Sequence, residues 1–159
     1  MKSILISIKP EWVVKILNGE KTIEIRKTMP KCELPIDVYI YCTKDKTYAY
    51  FLNGNQINSK IVAKFTLNKV EEVKFDNAQM QKQSCLTEEE LFDYLFVNSP
   101  YCETMRKGYA WHIDDLEVFD IPKEIKSFTV YYRGKSYPQN TSWKLMKAPQ
   151  SWCYVEELK

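Results

Sequence analysis

Asn18-Gly19-Glu20-Lys21-Thr22-Ile23-Glu24-Ile25-Arg26-Lys27 sets the reading of the whole chain. Side chains alternate between the two faces of a β-strand, so this run places Ile23 and Ile25 on one face and Thr22, Glu24 and Arg26 on the other. Lys21 stands at the strand entrance. A helix would scatter these charges around its circumference, whereas a short strand entering a barrel mouth converges a lysine, a carboxylate and a guanidinium on one small ligand. The same alternation also describes the solvated face of a half-exposed antiparallel strand, on which a Glu24/Arg26 pair carries no function. On pattern alone both readings stay open.

Outward from this stretch, Ser3 to Ile8 alternates and predicts a first strand. Lys9-Pro10 turns it. Proline suits the first helical position, and Trp12, Val13, Ile16 and Leu17 form one apolar face, so Pro10 to Asn18 is expected as a short helix that Gly19 ends in a left-handed conformation. Downstream, Thr28-Met29-Pro30-Lys31 breaks the motif strand and Ile36 to Thr43 supplies the next one. Asn53-Gly54 is a hairpin turn signal. Ile61 to Phe75 reads as one bent strand, or two with a bulge near Asn68. Thr87-Glu88-Glu89-Glu90 is a capping box opening a helix through Val97, with Leu91, Tyr94 and Leu95 inward. Asn98 to Lys107 is expected as loop, and Gly108 to Val118, Phe128 to Tyr132 and Ser151 to Val155 as the closing strands. Six or seven strands with two helices and no βαβ rhythm predict an α+β fold built on a mixed barrel. Ser3–Ile8, Thr22–Lys27 and Ser151–Val155 are expected to share one curved sheet or barrel.

With Ser7-Ile8-Lys9-Pro10-Glu11-Trp12 and Ile16-Leu17 before it, the opening stretch resembles the start of an ASCH domain, a branch of the PUA-like β-barrel superfamily. The signature is a helix ending in Gly-x-Lys-x-x-Glu-x-Arg, and Gly19, Lys21, Glu24 and Arg26 fill every position. A second block, Tyr109-Ala110-Trp111-His112-Ile113 with Pro149-Gln150-Ser151-Trp152-Cys153-Tyr154-Val155, resembles that of phage and prophage members. The resemblance covers both ends and is weak across residues 43–105, read as a variable insertion within a single domain spanning 1–159. It implies a PUA-like mixed β-barrel with two or three short helices packed on it, and a cleft between the motif strand and the C-terminal strands. RNA, or a nucleoside or nucleotide, is the implied partner. Lys21, Glu24 and Arg26 would build the pocket, with Lys9, Trp111, Ser151, Trp152 and Tyr154 as further lining residues.

Composition bounds the alternatives. At 159 residues the chain suits one domain, and 45% apolar with 14% aromatic residues argues against disorder. The apolar run after Met1-Lys2-Ser3 is too short for a signal-peptide core or a membrane span, so a soluble cytoplasmic protein is expected. Five cysteines without a C-x-x-C pair indicate reduced thiols and neither a disulfide framework nor a zinc ribbon. A net charge of +2 is too small to announce nucleic-acid binding, but its distribution says more. Residues 1–31 and 121–150 are both rich in Lys and Arg, whereas Glu88, Glu89, Glu90, Asp93 and Glu103 cluster in the centre. If the two ends fold together, one face attracts phosphates; the other reading is that these lysines only solubilise.

The chemistry is narrowed mostly by elimination. His112 is the only histidine, and no Cys, His, Asp or Glu residues show ligand spacing, so neither a metal nor another cofactor is expected. Four scattered glycines cannot build a phosphate cradle. What remains is a lysine-carboxylate site. Desolvation and the Arg26 guanidinium favour a free Lys21 amine, a base or nucleophile, whereas Glu24 favours the ammonium. If the protein is an enzyme, Lys21 and Glu24 are its candidate catalytic residues. The resemblance extends to a small bacterial group that hydrolyses acetylated cytidine with the motif lysine, a threonine three residues on and a distant glutamate. Lys21 matches the lysine, but Glu24 occupies the threonine position and no residue is assigned to the distant glutamate. A ribonuclease activity has also been ascribed to an ASCH member. Tyr109, Trp111, Trp143, Trp152 and Tyr154 could stack a base. A third reading is a protein-binding adaptor using the acidic helix at 88–97. Oligomeric state is not set by the sequence.

Overall fold

The computed structural model describes residues 2–99, 102–130 and 144–157. The chain divides into two compact units. One comprises Met1–Val14, Ile36–Thr66 and Asp115–Lys159, the other Lys15–Pro35 and Leu67–Asp114. In chain order the elements are β1 (Ser3–Ile8), α1 (Pro10–Leu17), β2 (Ile23–Arg26), β3 (Ile36–Cys42), β4 (Phe51–Leu52), β5 (Asn55–Gln56), β6 (Lys60–Leu67), β7 (Val70–Glu72), α2 (Ala78–Ser84), α3 (Glu88–Leu95), β8 (Phe96–Ser99), β9 (Cys102–Met105), β10 (Tyr109–His112), β11 (Asp114–Lys123), β12 (Phe128–Val130) and β13 (Trp152–Glu157).

In the first unit a six-stranded sheet runs in the order β11-β6-β3-β1-β13-β12. β1 is an interior strand, parallel to β3 from Ile4↔Val38 to Ile8↔Cys42 and antiparallel to β13 from Ser3↔Val155 to Ile6↔Trp152. An interior strand covered on both faces has no polar side, which is why Ser3 and Ser7 are buried with the isoleucines and why Ser7 Oγ donates to the Pro149 carbonyl at 2.7 Å. Leu5, Tyr39, Ile61, Phe128, Leu145 and Val155 form the core on this sheet. The Tyr39 hydroxyl donates to a Glu157 carboxylate oxygen at 2.6 Å, and Lys123 pairs with the other oxygen. Burial by itself would raise the Glu157 carboxyl, but the Lys123 ammonium and the Tyr39 hydroxyl outweigh it and hold it below the usual carboxylate range. The Asn53-Gly54 signal produces the β4–β5 hairpin, with both residues at positive φ, 49° and 79°.

The second unit holds a three-stranded sheet, β2-β10-β7, with β10 in the middle. Of the three strands expected in one curved sheet or barrel, β1 and β13 pair in the large sheet, while β2 pairs with β10 in this one. The two long β-rich runs each break, at 68–69 and at Ile113, and their pieces β7 and β10 join β2 while β6 and β11 join the large sheet. The described architecture is therefore a mixed α+β fold with three α-helices and one large sheet whose ladder runs from β11 to β12.

Ile23 and Ile25 on β2, with Ala110 on β10, face Val73, Met80, Leu91 and Leu95. α3 carries the expected capping box: Thr87 Oγ1 accepts from the Glu90 N–H, and the Glu90 carboxylate accepts from the Thr87 N–H. It ends at Leu95, not Val97, where the chain turns directly into β8. β8 pairs antiparallel with β9 where loop was expected, since Phe96-Val97-Asn98-Ser99 shows no apolar–polar alternation. α2 was not anticipated, although Asn77 is a normal N-cap whose side chain accepts from the Met80 N–H at 3.0 Å. Leu91 and Leu95 are fully buried, but Tyr94, expected inward with them, is 39% exposed.

Gly108, just before β10, fits against this core so closely that a Cβ there would lie 2.5 Å from Leu95 Cδ1 and 3.1 Å from Val73 Cγ2. Gly108→Ala is expected to destabilise the protein by about 1–3 kcal/mol through overpacking. In a Leu95→Ala background, which vacates that space, the same substitution should cost little. Urea unfolding of the four proteins measures this, and an equal cost in both backgrounds would contradict it.

Candidate functional site

Each part of the Gly-x-Lys-x-x-Glu-x-Arg stretch has a structural cause. The α1 end accepts N–H groups in succession, from Gly19 to the Ile16 carbonyl and from Glu20 and Lys21 to the Lys15 carbonyl, each at 3.0 Å. Gly19 adopts φ 76°, which glycine alone reaches without strain, and the chain reverses into β2. Thr22 N–H donates to the Gln83 carbonyl, tying this turn to the last residues of α2.

That turn buries Lys21, 3% exposed, with its Nζ donating to the Ser84 carbonyl at 2.6 Å. Ser84 is the last residue of α2, whose terminal carbonyls lack helical partners and attract a cation. Lys21 Nζ also lies 3.3 Å from Glu24 Oε2, while Glu24 Oε1 is 3.0 Å from Arg26 Nη2. Glu24 and Arg26 are 7% and 8% exposed. One carboxylate thus serves two cations in a buried line of three charges.

Directly opposite residues in an antiparallel pair share a face. Glu24 is opposite Trp111 and Arg26 is opposite Tyr109. Trp111 is fully buried, and its Nε1 donates to the Thr28 carbonyl at 3.2 Å beyond the end of β2. It therefore lies beside Glu24 on the same face of the sheet. Lys27 is exposed, with its ammonium 4.7 Å from the centre of the Tyr94 ring. Burial raises the Tyr94 hydroxyl, with Arg26 acting in the opposite direction and Glu24 adding to the rise, so α3 brings this ring within reach of the same charges.

The remaining expected residues belong to the first unit. Lys9 is exposed, and its carbonyl accepts the Trp12 and Val13 N–H groups that start α1. The Ser151 carbonyl accepts the Ser7 N–H at 2.8 Å. Trp152 and Tyr154 are half-buried on β13 in an edge-to-face pair 5.4 Å apart, with Lys2 Nζ 3.7 Å from the Tyr154 ring centre. Trp143, Arg133 and Lys135 lie outside the described residues. His112 Nε2 is 3.2 Å from the Glu71 carboxylate. The basic runs are partly consumed internally: Lys21 and Arg26 are buried, Lys15 is 3.8 Å from Glu20, and Lys123 pairs with Glu157.

Two participants escaped the sequence reading. The Ser84 carbonyl is invisible because it is backbone at the end of a helix that was not read, though Asn77 followed by Ala78-Gln79-Met80-Gln81 signals that helix. Tyr94 was assigned to the core because it falls three residues after Leu91, on the edge of the buried stripe.

Among the described residues no group of His, Cys, Asp and Glu could hold a metal ion, and no helix is long and apolar enough to cross a membrane. A mixed sheet, short helices and a charged motif strand placed after a helix stop define an α+β domain. The ASCH domain model matches residues 6–129, and the chain belongs to that family. In structure it is similar to ASCH from Zymomonas mobilis, with a TM-score of 0.63 at 18% identity over 97% of this chain and 87% of that one. A serine-to-alanine mutant of that protein gives 0.63 at 17% identity, covering 97% and 88%. A tyrosine-to-phenylalanine mutant gives 0.56 at 20% identity, covering 79% and 77%. At such identities the likeness is one of fold. No curated protein matches the chain in sequence.

Proposed function

We propose that this ASCH domain binds single-stranded RNA or a modified nucleoside, in the cytoplasm, at a pocket built on Lys21, Glu24 and Arg26. The observation that carries the reading is the burial of all three charges in one hydrogen-bonding line. Buried ion pairs are often matched or exceeded in stability by apolar residues of the same volume, so stability alone gives no reason to keep three of them. A ligand does.

The roles divide by geometry. Lys21, donating to Ser84 and set against Glu24, holds the carboxylate in place; Glu24 in turn orients the Arg26 guanidinium, the group suited to planar recognition of a phosphate or a base edge. Lys21 Nζ is turned to the Ser84 carbonyl and to Glu24, an arrangement that suits a positioning role and so supports binding over hydrolysis. The resemblance of the Tyr109–Ile113 and Pro149–Val155 blocks to phage and prophage proteins supports the same reading within a single domain.

Arg26→Ala is expected to weaken binding of a single-stranded RNA by at least several-fold, since one charge-assisted hydrogen bond is worth about 1.5–3 kcal/mol. Arg26→Lys keeps the charge without the planar fork and should fall between. Fluorescence anisotropy titrations, with folding of each variant checked by circular dichroism, decide the matter. Equal affinity of wild type and Arg26→Ala would leave the motif purely structural.

A further inference from the structure

We infer that the β4–β5 hairpin is a second and separate contact for single-stranded RNA, with Tyr48 and Phe51 as stacking surfaces for its bases and Lys44 and Lys46 meeting its phosphates. Tyr48 is 67% exposed and Phe51 64%, whereas Tyr39, Phe65 and Phe128 of the same unit are buried. Single exposed apolar side chains are ordinary, but two aromatic rings within four residues of each other on a fixed turn are not a by-product of an overfull core.

The segment is held in one shape by polar groups. The Asp45 carboxylate accepts the N–H groups of Thr47 at 2.7 Å and Tyr48 at 2.9 Å. Tyr50 N–H donates to Asn58 Oδ1 at 2.7 Å, and Ile57 N–H donates to the Tyr50 carbonyl at 2.9 Å. Ile57 is buried and anchors the base of the hairpin, and Asn53-Gly54 closes its tip in the tight left-handed turn. Rings carried on a pinned backbone lose little conformational freedom when a base settles on them, which is what a stacking platform requires.

The surroundings choose the partner. A protein-docking patch has a contiguous apolar centre, whereas here the rings are set among exposed Lys44, Lys46, Asn53, Asn55 and Gln56. Exposed lysines on the same short segment as the two exposed rings suit phosphates alternating with bases, and amides can meet base edges. This hairpin belongs to the first unit and Lys21, Glu24 and Arg26 to the second, so the two sites are separable by mutation.

The test is anisotropy titration of a short fluorescein-labelled single-stranded RNA across a series of salt concentrations. Tyr48→Ala/Phe51→Ala should weaken binding about tenfold or more with the salt slope unchanged, given the loss typical of removing a stacked aromatic. Tyr48→Phe/Phe51→Tyr should retain most of the affinity. Lys44→Gln/Lys46→Gln should reduce the slope of log affinity against log salt by about 1.4, that is ~0.7 per phosphate contact. Unchanged affinity of the double alanine protein overturns the inference and leaves the hairpin to a protein partner. A loss there with Arg26→Ala unaffected upholds the hairpin and removes the motif pocket. Absence of RNA binding by the wild type removes both.

Discussion

Replacing Glu24 by glutamine is expected to lower the stability of the protein by about 3–5 kcal/mol, the range seen when one partner of a buried ion pair is removed. Glutamine keeps the shape of the side chain but removes the charge that Lys21 Nζ and Arg26 Nη2 share. Two buried cations then face each other across a neutral amide. Their repulsion is not screened as it would be at the surface. The second substitution Lys21→Met removes one of those cations and should recover part of the loss, because the remaining charge no longer has a like neighbour. Urea unfolding of wild type, both single variants and the double variant completes the cycle. A Glu24→Gln protein within about 0.5 kcal/mol of wild type, the behaviour of a surface site, would mean that water reaches the three charges and that the buried network does not exist in solution.

Trp111→Ala is expected to cost about 3–5 kcal/mol, as large-to-small substitutions of fully buried aromatics do. Trp111 lies on the central strand β10, opposite Glu24 on one side and Val70 on the other, so truncation opens a cavity in the middle of the three-stranded sheet. It also leaves the Thr28 carbonyl without its indole donor. Trp111→Phe keeps much of the volume and loses the donor, and about 1–2 kcal/mol is expected for it, mostly the lost hydrogen bond. The sequence reading placed Trp111 among the ligand-lining residues, and its full burial opposite Glu24 sets a packing role beside that one. The distinguishing outcome is clear. A Trp111→Ala protein that unfolds like wild type but binds RNA weakly would favour the lining role.

The local devices were legible because each is written within a few neighbouring residues. Pro10 at the helix start, Gly19 at its end, the capping box at Thr87 and the Asn53-Gly54 turn all depend on backbone conformations that few residue types accept. The alternation from Ile23 to Arg26 likewise assigned the isoleucines to one buried face and the charges to the other, and the helix stop fixed where Lys21 would enter. Those are statements about one segment, and one segment suffices to make them.

Which strands meet is a different kind of fact. Ile61–Phe75 reads as one bent strand or two with a bulge near Asn68, and Gly108–Val118 as one strand, but nothing within either run says that its two parts join different sheets. Hydrogen-bond pairing is settled by the partner strand, often far away in sequence, so β2 found β10 and not β13, and four-residue β8 became a strand only because β9 returned beside it. The site shows the same division. Residue order put Lys21, Glu24 and Arg26 on one short stretch, but their burial depends on α2 delivering the Ser84 carbonyl from 63 positions away and on β10 placing Trp111 opposite Glu24. A charge becomes a buried charge only through what packs over it, and that covering comes from other parts of the chain.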